Sequence, residues 1–158
     1  MGDPRKIRKK YSTPGHPWQR ERIDSERVIV SKYGLKNKKE LWKMTSVLKT
    51  IKRQAKNLIA KDTLQAKKEK EQLFSRLSKL NILQKTAQLD EALGLTLDDI
   101  MNRRLQTFVF KRGLAKSMKQ SRQFITHGHI TIDSQKIDSP SHLVKVDEET
   151  KIEFSNHS

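Results

Sequence analysis

Between residues 103 and 127 the chain places Arg103, Arg104, Arg112, Lys116, Lys119, Gln120, Arg122, Gln123 and His127. Arginine and lysine donate to phosphate oxygens, glutamine donates and accepts at base edges, and an imidazole donates or stacks. Catalytic alternatives fare worse. Asp98-Asp99 offers paired carboxylates, but Thr96-Leu97-Asp98-Asp99 reads as a capping box, with Thr96 as N-cap and Asp99 at N3. His127 and His129, with His142 downstream, carry metal-ligating atoms; Gly128 and an expected helix end between the first two argue against a shared face, and the chain has no cysteine to complete a shell. Ser117, Ser121 and Ser139 lack a nearby His–acid pair. There is no G-x-G-x-x-G and no Walker sequence. We therefore expect no catalytic residue, no cofactor and no metal.

A second set of candidates opens the chain. Lys6, Arg8, Lys9 and Lys10 precede Tyr11-Ser12-Thr13-Pro14-Gly15-His16-Pro17-Trp18, so Tyr11, His16 and Trp18 interleave with cations. Such rings stack on bases or pack on a neighbouring surface. Lys36 and Lys38 follow after a predicted helix.

The whole composition points the same way. The 158 residues carry a net charge of +16, with 33% charged and 34% hydrophobic residues. A polyanion is the default partner of such a chain, and its thin apolar supply argues against one large core. Residues 1–60 hold 17 Lys and Arg against 5 Asp and Glu, a balance of +12; residues 61–158 hold 17 against 13, a balance of +4. Repulsion among the first 60 residues predicts a segment that needs its partner to stay compact. A membrane partner is not expected: no stretch approaches the roughly 20 apolar residues of a spanning helix, and the N-terminus has neither a signal-type apolar run nor a myristoylation pattern. The absence of cysteine is compatible with a reducing interior.

The elements that must hold these residues read as α+β. Prolines and glycine predict an extended basic arm over residues 1–22, turning near Pro14-Gly15. A short helix is expected over 20–31, stopped by Gly34, and a second from Lys39 to about Ala60, with Leu41, Met44, Val47, Leu48, Ile51, Ala55, Leu58 and Ile59 at helical spacing. Leu73, Leu77 and Leu80 predict a helix within 61–85, with Asn81 near its end, and a further helix is expected from Lys85 to Leu93, stopped at Gly94. This helical region spans 23–96.

Residues 97–158 form a third unit. One helix is expected from Thr96 to about Phe110, with Leu97, Met101, Leu105 and Phe108 inward and Asn102, Arg103 and Gln106 elsewhere; Arg112-Gly113 turns the chain. Ser117 caps the next helix, to about His127, with Ala115, Met118, Ser121, Phe124 and Ile125 inward and Lys116, Lys119, Gln120, Arg122 and Gln123 outward. Gly128 fits the position after its end. Ile130–Ile132 and Lys136-Ile137 predict a hairpin around Asp133-Ser134; Val144–Val146 and Lys151–Phe154 predict a second ribbon. A helix–turn–helix of this composition can also read the major groove of DNA, but DNA readers of this kind usually dimerise and no spare apolar seam is evident. An A-form RNA partner, met through phosphates, 2′-hydroxyls and shape, suits the same face and the ribbon beside it.

Residues 102–154 resemble the S-four RNA-binding domain. Arg104-Leu105, the run from Arg112 to Ser117, Ser121-Arg122-Gln123-Phe124-Ile125 and Gly128-His129-Ile130 fall at its motif positions in order and spacing. The run from Tyr11 to Trp18, the run from Lys32 to Trp42 and the run from Gly94 to Gln106 are similar to the archaeal and eukaryotic type of small-subunit ribosomal protein four, the shorter C-terminus favouring the archaeal type. Ser121 stands where many such domains have alanine, and Asp133-Ser134 where many have Asn-Gly; without cysteine, the zinc knuckle of some bacterial members cannot form.

The resemblance implies a structural protein of the small, 30S ribosomal subunit. Such a protein binds early to the 5′ region of its ribosomal RNA, nucleates assembly there, contacts neighbouring ribosomal proteins and supports accuracy near the mRNA entry side, in the cytoplasmic ribosome. The alternative within the family is a ribosome-biogenesis and RNA-processing factor. Enzymes that carry this module add a catalytic domain, for which about 100 basic, helical residues leave no room.

Overall fold

The computed structural model describes residues 9–61, 63–84 and 87–155. From Lys9 to Gln19 the arm contains no helix or strand. It lies along the second helix, where the Ser12 backbone N–H donates to Ser46 Oγ at 3.1 Å and the Tyr11 and Trp42 rings sit 6.1 Å apart.

Helix α1 runs Arg20–Lys32 and α2 runs Lys38–Ile59. Gly34, at φ +57°, lets the chain leave α1 and turn back, a left-handed geometry in which glycine carries no Cβ penalty. Asn37 starts α2 by accepting the Glu40 N–H at 3.2 Å. Helix α3, Leu64–Lys79, starts on Thr63, which accepts the Ala66 N–H at 3.2 Å. Asn81 adopts φ +49° just beyond it. Helix α4 is only Leu89–Gly94. The helix expected from Lys85 is thus shorter, and its first two positions lie outside the described residues. Glu91 fixes the start at Leu89 by accepting the Gln88 N–H at 3.1 Å. Gly94 is its last residue, not its stop.

The long helix expected from Thr96 is two helices, α5 (Leu97–Met101) and α6 (Leu105–Lys111). The capping box forms as read: Asp99 Oδ2 accepts both the Thr96 N–H and its hydroxyl at 2.8 Å. The break after Met101 is caused from a distance. Leu105 N–H donates to the His142 carbonyl and Val144 N–H to the Arg103 carbonyl, both at 2.8 Å. Backbone groups at 103–105 trade a helical ladder for a bridge to residues 142–144.

Helix α7 is Met118–Thr126, capped by Ser117, whose hydroxyl accepts the Gln120 N–H at 3.2 Å. Gly128, at φ +75°, follows it. Strand β1 (Ile130–Ile132) pairs antiparallel with β2 (Gln135–Lys136) on one side and β3 (Ile152–Phe154) on the other, with Thr131 opposite both Lys136 and Glu153. Asp133 and Ser134 both take positive φ, 52° and 66°, the backbone of a tight hairpin turn. The second ribbon does not form. Val146–Glu149 is instead a single helical turn, α8. Asp147, Glu148 and Glu149 sit in its first turn, where the helix dipole favours carboxylates, and only β3 of the expected pair joins the sheet. The fold is α+β, mainly helical, with a three-stranded sheet near the C-terminus.

Two apolar clusters hold these elements. The first gathers Tyr33, Leu41, Met44, Ile51, Leu58, Leu73, Leu77 and Leu95 with Ile100 and Met101. The second gathers Leu105, Val109, Ala115, Ile125, Ile130, Ile132, Val144 and Ile152. Met101 and Leu105, both fully buried, fall on opposite sides of the break between α5 and α6. That break is where one core ends and the other begins.

Candidate nucleic-acid interface

Arg103 and Arg104 point inward. Arg104 is 1% exposed, and its Nη2 donates to Glu40 Oε2 at 2.7 Å. Arg103 is buried, donates to the Val144 carbonyl at 3.0 Å, pairs with Glu149 and lies 4.6 Å from the centre of the Phe108 ring. Both had been expected on an RNA-facing surface. Their guanidinium groups are spent inside the fold, because bridging to 142–144 turns them towards carboxylates supplied by α2 and α8. Gln106, also expected away from the core, is 1% exposed. Its amide nitrogen lies 2.8 Å from the Met118 carbonyl and 3.2 Å from those of Tyr33 and Gly34. Ser121 is fully buried as expected and donates to the Gln106 carbonyl at 2.6 Å, so α6 and α7 approach closely through a small side chain.

Arg122 departs from its expected outward position too. It is half-buried and grips Glu40 through two bonds, Nη2 to Oε1 at 2.8 Å and Nη1 to Oε2 at 3.2 Å. Glu40 therefore ties two arginines of the C-terminal part to the start of α2. Burial raises the Glu40 pKa, but hydrogen bonds from Arg122 and Arg104 and their charges outweigh it and hold the carboxyl below its usual range. Burial lowers the Arg104 pKa and Glu40 opposes it; a guanidinium stays cationic regardless. Gln120 is also partly engaged, its Oε1 accepting the Lys116 N–H at 2.8 Å.

What remains free on this side is a narrower cationic face. Lys116, Lys119, Gln123 and His127 are exposed at and along α7. His127 stacks on His129, ring centres 6.2 Å apart, and the Phe124 ring meets that of His129 edge-on at 6.0 Å. Arg112 is exposed and reaches the Ile152 carbonyl at 3.0 Å, bracing β3. His142 pairs with Glu148 at 2.9 Å, on a different neighbour from His127 and His129. Among the described residues no three His, Asp or Glu side chains group to hold a metal ion.

The N-terminal candidates divide similarly. Lys9, Lys10 and Lys36 are exposed; Lys6 and Arg8 lie outside the described residues. Lys38 pairs with Glu26 at 3.2 Å. Glu26 is 8% exposed and also accepts from Arg22 at 2.6 Å and from the Trp42 indole at 3.1 Å. Arg22 in turn donates to the carbonyls of His16 at 3.2 Å and Pro17 at 2.8 Å. His16 is exposed and Trp18 is 90% exposed, held out on a turn anchored from beneath. Nothing local marks Glu40 or Gln106 as organisers, since each joins segments more than 60 residues apart.

Comparison with known proteins bears on this arrangement. Residues 103–149, the segment containing the bridge, α6, α7 and the hairpin, match the S4 domain. Over its whole length the chain is similar to small ribosomal subunit protein uS4 of Methanococcus maripaludis strain C7, 53% identical over 159 residues covering 100% of this chain and 89% of that protein. This chain belongs to the uS4 family. The uS4 protein of Methanothermobacter thermautotrophicus is 50% identical over 154 residues, 98% of this chain and 90% of its own length. That of Methanococcus aeolicus is 52% identical over 159 residues, 100% and 90%. The resemblance read from the motifs thus extends through the arm and the helical region as well as the S4 module. In this uS4 chain Glu40 ties the module to α2, while Lys116 and Lys119 stay exposed.

Proposed function

We propose that this chain is a structural constituent of the small ribosomal subunit in the cytoplasm, where it binds ribosomal RNA and adjoining ribosomal proteins. It nucleates the 5′ region of the RNA during assembly and supports decoding accuracy near the mRNA entry side. It is not an enzyme and takes no small-molecule substrate. The observation that carries this reading is the excess of exposed cations without an ion pair among the described residues on a uS4 framework: Lys116 and Lys119 on the module, Lys9, Lys10 and Lys36 before it, in a chain of net charge +16. Lysines that pair with no carboxylate among the described residues suit phosphates that a partner supplies.

Titration of the full chain against a transcript of the 5′ region of small-subunit ribosomal RNA tests it. If roughly eight phosphates are neutralised, log K falls against log salt with a slope of several units. Lys116→Gln with Lys119→Gln lowers that slope; Lys67→Gln with Lys68→Gln on α3 leaves it nearer the parent value. A flat salt response contradicts the reading. Sedimentation with mature 30S particles in high salt supports residence in the subunit, and recovery with precursor RNA alone indicates an assembly factor.

A further inference from the structure

We propose that a concavity at the seam between α2 and the S4 module seats one backbone phosphate of RNA, with Lys39 and Lys43 as its principal ligands. The proposal rests on the ribosomal-RNA reading and adds the place where a strand crosses the seam. The cavity has a volume of about 490 Å³ and is lined by Tyr11, Lys39, Glu40, Lys43, Arg104 and Arg122, among others. Four of these six side chains are cationic and one is anionic, so the lining is positive by three charges. Glu40 is already occupied. Its two oxygens accept three N–H groups from Arg104 and Arg122, and its one negative charge is already outweighed by those two guanidinium groups. Lys39 and Lys43 are exposed and form no ion pair among the described residues.

A second, independent feature asks for an acceptor. Arg104 lines the cavity, is 1% exposed, and its Nη1 has no hydrogen-bond partner among the described residues. A buried donor left unpaired costs about 1–3 kcal/mol. The atom is itself occluded, so a phosphate oxygen, or a water it orders, relieves that cost once the lining shifts to admit it. The cavity also lies at the start of α2, a helix of 22 residues whose first N–H groups carry partial positive charge.

The surroundings select a strand over an isolated anion. Tyr11 lines this cavity and also a second concavity bordered by Lys10, Lys49 and Arg53. Two cationic hollows meeting at one aromatic ring suit successive phosphates of one chain, with the ring available to the sugar or base between them.

Ethylation interference separates this pocket from RNA binding in general. The full-length protein is bound to a transcript of the 5′ region of small-subunit ribosomal RNA carrying randomly ethylated phosphates. With the parent chain, ethylation at a limited set of phosphates blocks binding. With K39Q/K43Q, one or two adjacent phosphates drop out of that set and the salt slope falls by about one unit. K67Q/K68Q removes the same charge from α3 and keeps the parent set. Glutamine and lysine have similar helix propensities and both lysines are exposed, so the fold is expected to be retained, which circular dichroism checks. Uniform weakening of K39Q/K43Q with an unchanged set overturns the pocket and leaves the RNA reading in place. A parent chain that fails to bind the transcript overturns both.

Discussion

Arg104 and Glu40 meet at 2.7 Å although 64 residues separate them, and Arg104 is 1% exposed. Two buried clusters adjoin at this point, so the pair works as a fastener between α2 and the S4 module. Removing one partner of a buried pair strands the other charge and typically costs about 3–5 kcal/mol. Glu40→Ala strands Arg104 and releases Arg122. The expected outcome is a lower urea midpoint with an unchanged slope, equivalent to about 3 kcal/mol. A change below roughly 0.5 kcal/mol, the level of an ordinary surface substitution, means that the apolar contacts alone hold the seam.

Acid should loosen the same seam. Glu40, Glu26 and Glu148 are each desolvated, yet hydrogen bonds and nearby cations hold all three below the usual glutamate range. A carboxyl with a depressed folded pKa binds protons more readily when the chain is unfolded. Its contribution to stability is complete above the unfolded value, about 4.3, and is lost as pH falls through the folded value. Urea midpoints are therefore expected to be steady on this account near neutrality and to drop below about pH 4.5. Glu40→Gln flattens that drop while lowering the plateau. An identical acid limb in parent and variant assigns the acid response to Glu26, Glu148 and other carboxylates.

Two glycines with the same backbone hand separate strain from crowding. Gly34 and Gly113 both have positive φ, 57° and 75°. A Cβ on Gly113 meets nothing within 4 Å; a Cβ on Gly34 comes within 3.0 Å of Met118 Cβ and 3.2 Å of the Gln106 amide nitrogen. Gly113→Ala is expected to cost about 1 kcal/mol, the penalty of a left-handed backbone. Gly34→Ala adds displacement of Met118 and Gln106, for a total of about 2–4 kcal/mol. Equal thermal shifts for the two variants would show that α7 yields freely at Met118.

What the sequence made legible was local. The stripe from Leu41 to Leu58 marks α2 because apolar positions repeat within one helix. Ser117 and Thr96 mark helix starts because a cap and its hydrogen-bond partner lie three residues apart. Asp133-Ser134 marks the hairpin because these short polar residues tolerate the left-handed region. The illegible features depend on distant partners. Residues 102–104 contain no glycine or proline to announce a break, and the carbonyl of His142 that helps cause it lies 37 residues beyond Leu105. Arg103, Arg104 and Arg122 carry the charge of RNA ligands, and nothing near them in sequence discloses that Glu149 and Glu40 claim them. Among the described candidates, Lys9, Lys10, His16, Trp18, Lys36, Arg112, Lys116, Lys119, Gln123 and His127 stay exposed on the folded chain.

Trp18 and Trp42 divide binding from stability. Trp42 donates its indole N–H to Glu26 at 3.1 Å and faces Tyr11, so it belongs to the fold. Trp18 is 90% exposed on a turn fixed by Arg22 at the His16 and Pro17 carbonyls. A large, solvent-facing ring offers an open π-face on which a base can stack. Base–aromatic stacking is worth about 1–3 kcal/mol, so Trp18→Ala is expected to weaken binding to the 5′ transcript by roughly 5- to 150-fold. Its urea midpoint should match that of the parent, because the ring buries almost nothing on folding. Trp42→Ala should show the reverse order of effects, with a marked loss of stability from the broken bond to Glu26 and the lost contact with Tyr11. Equal RNA affinity for Trp18→Ala and the parent would make Trp18 a passive residue towards RNA and leave the exposed lysines as the contacts on that end of the chain.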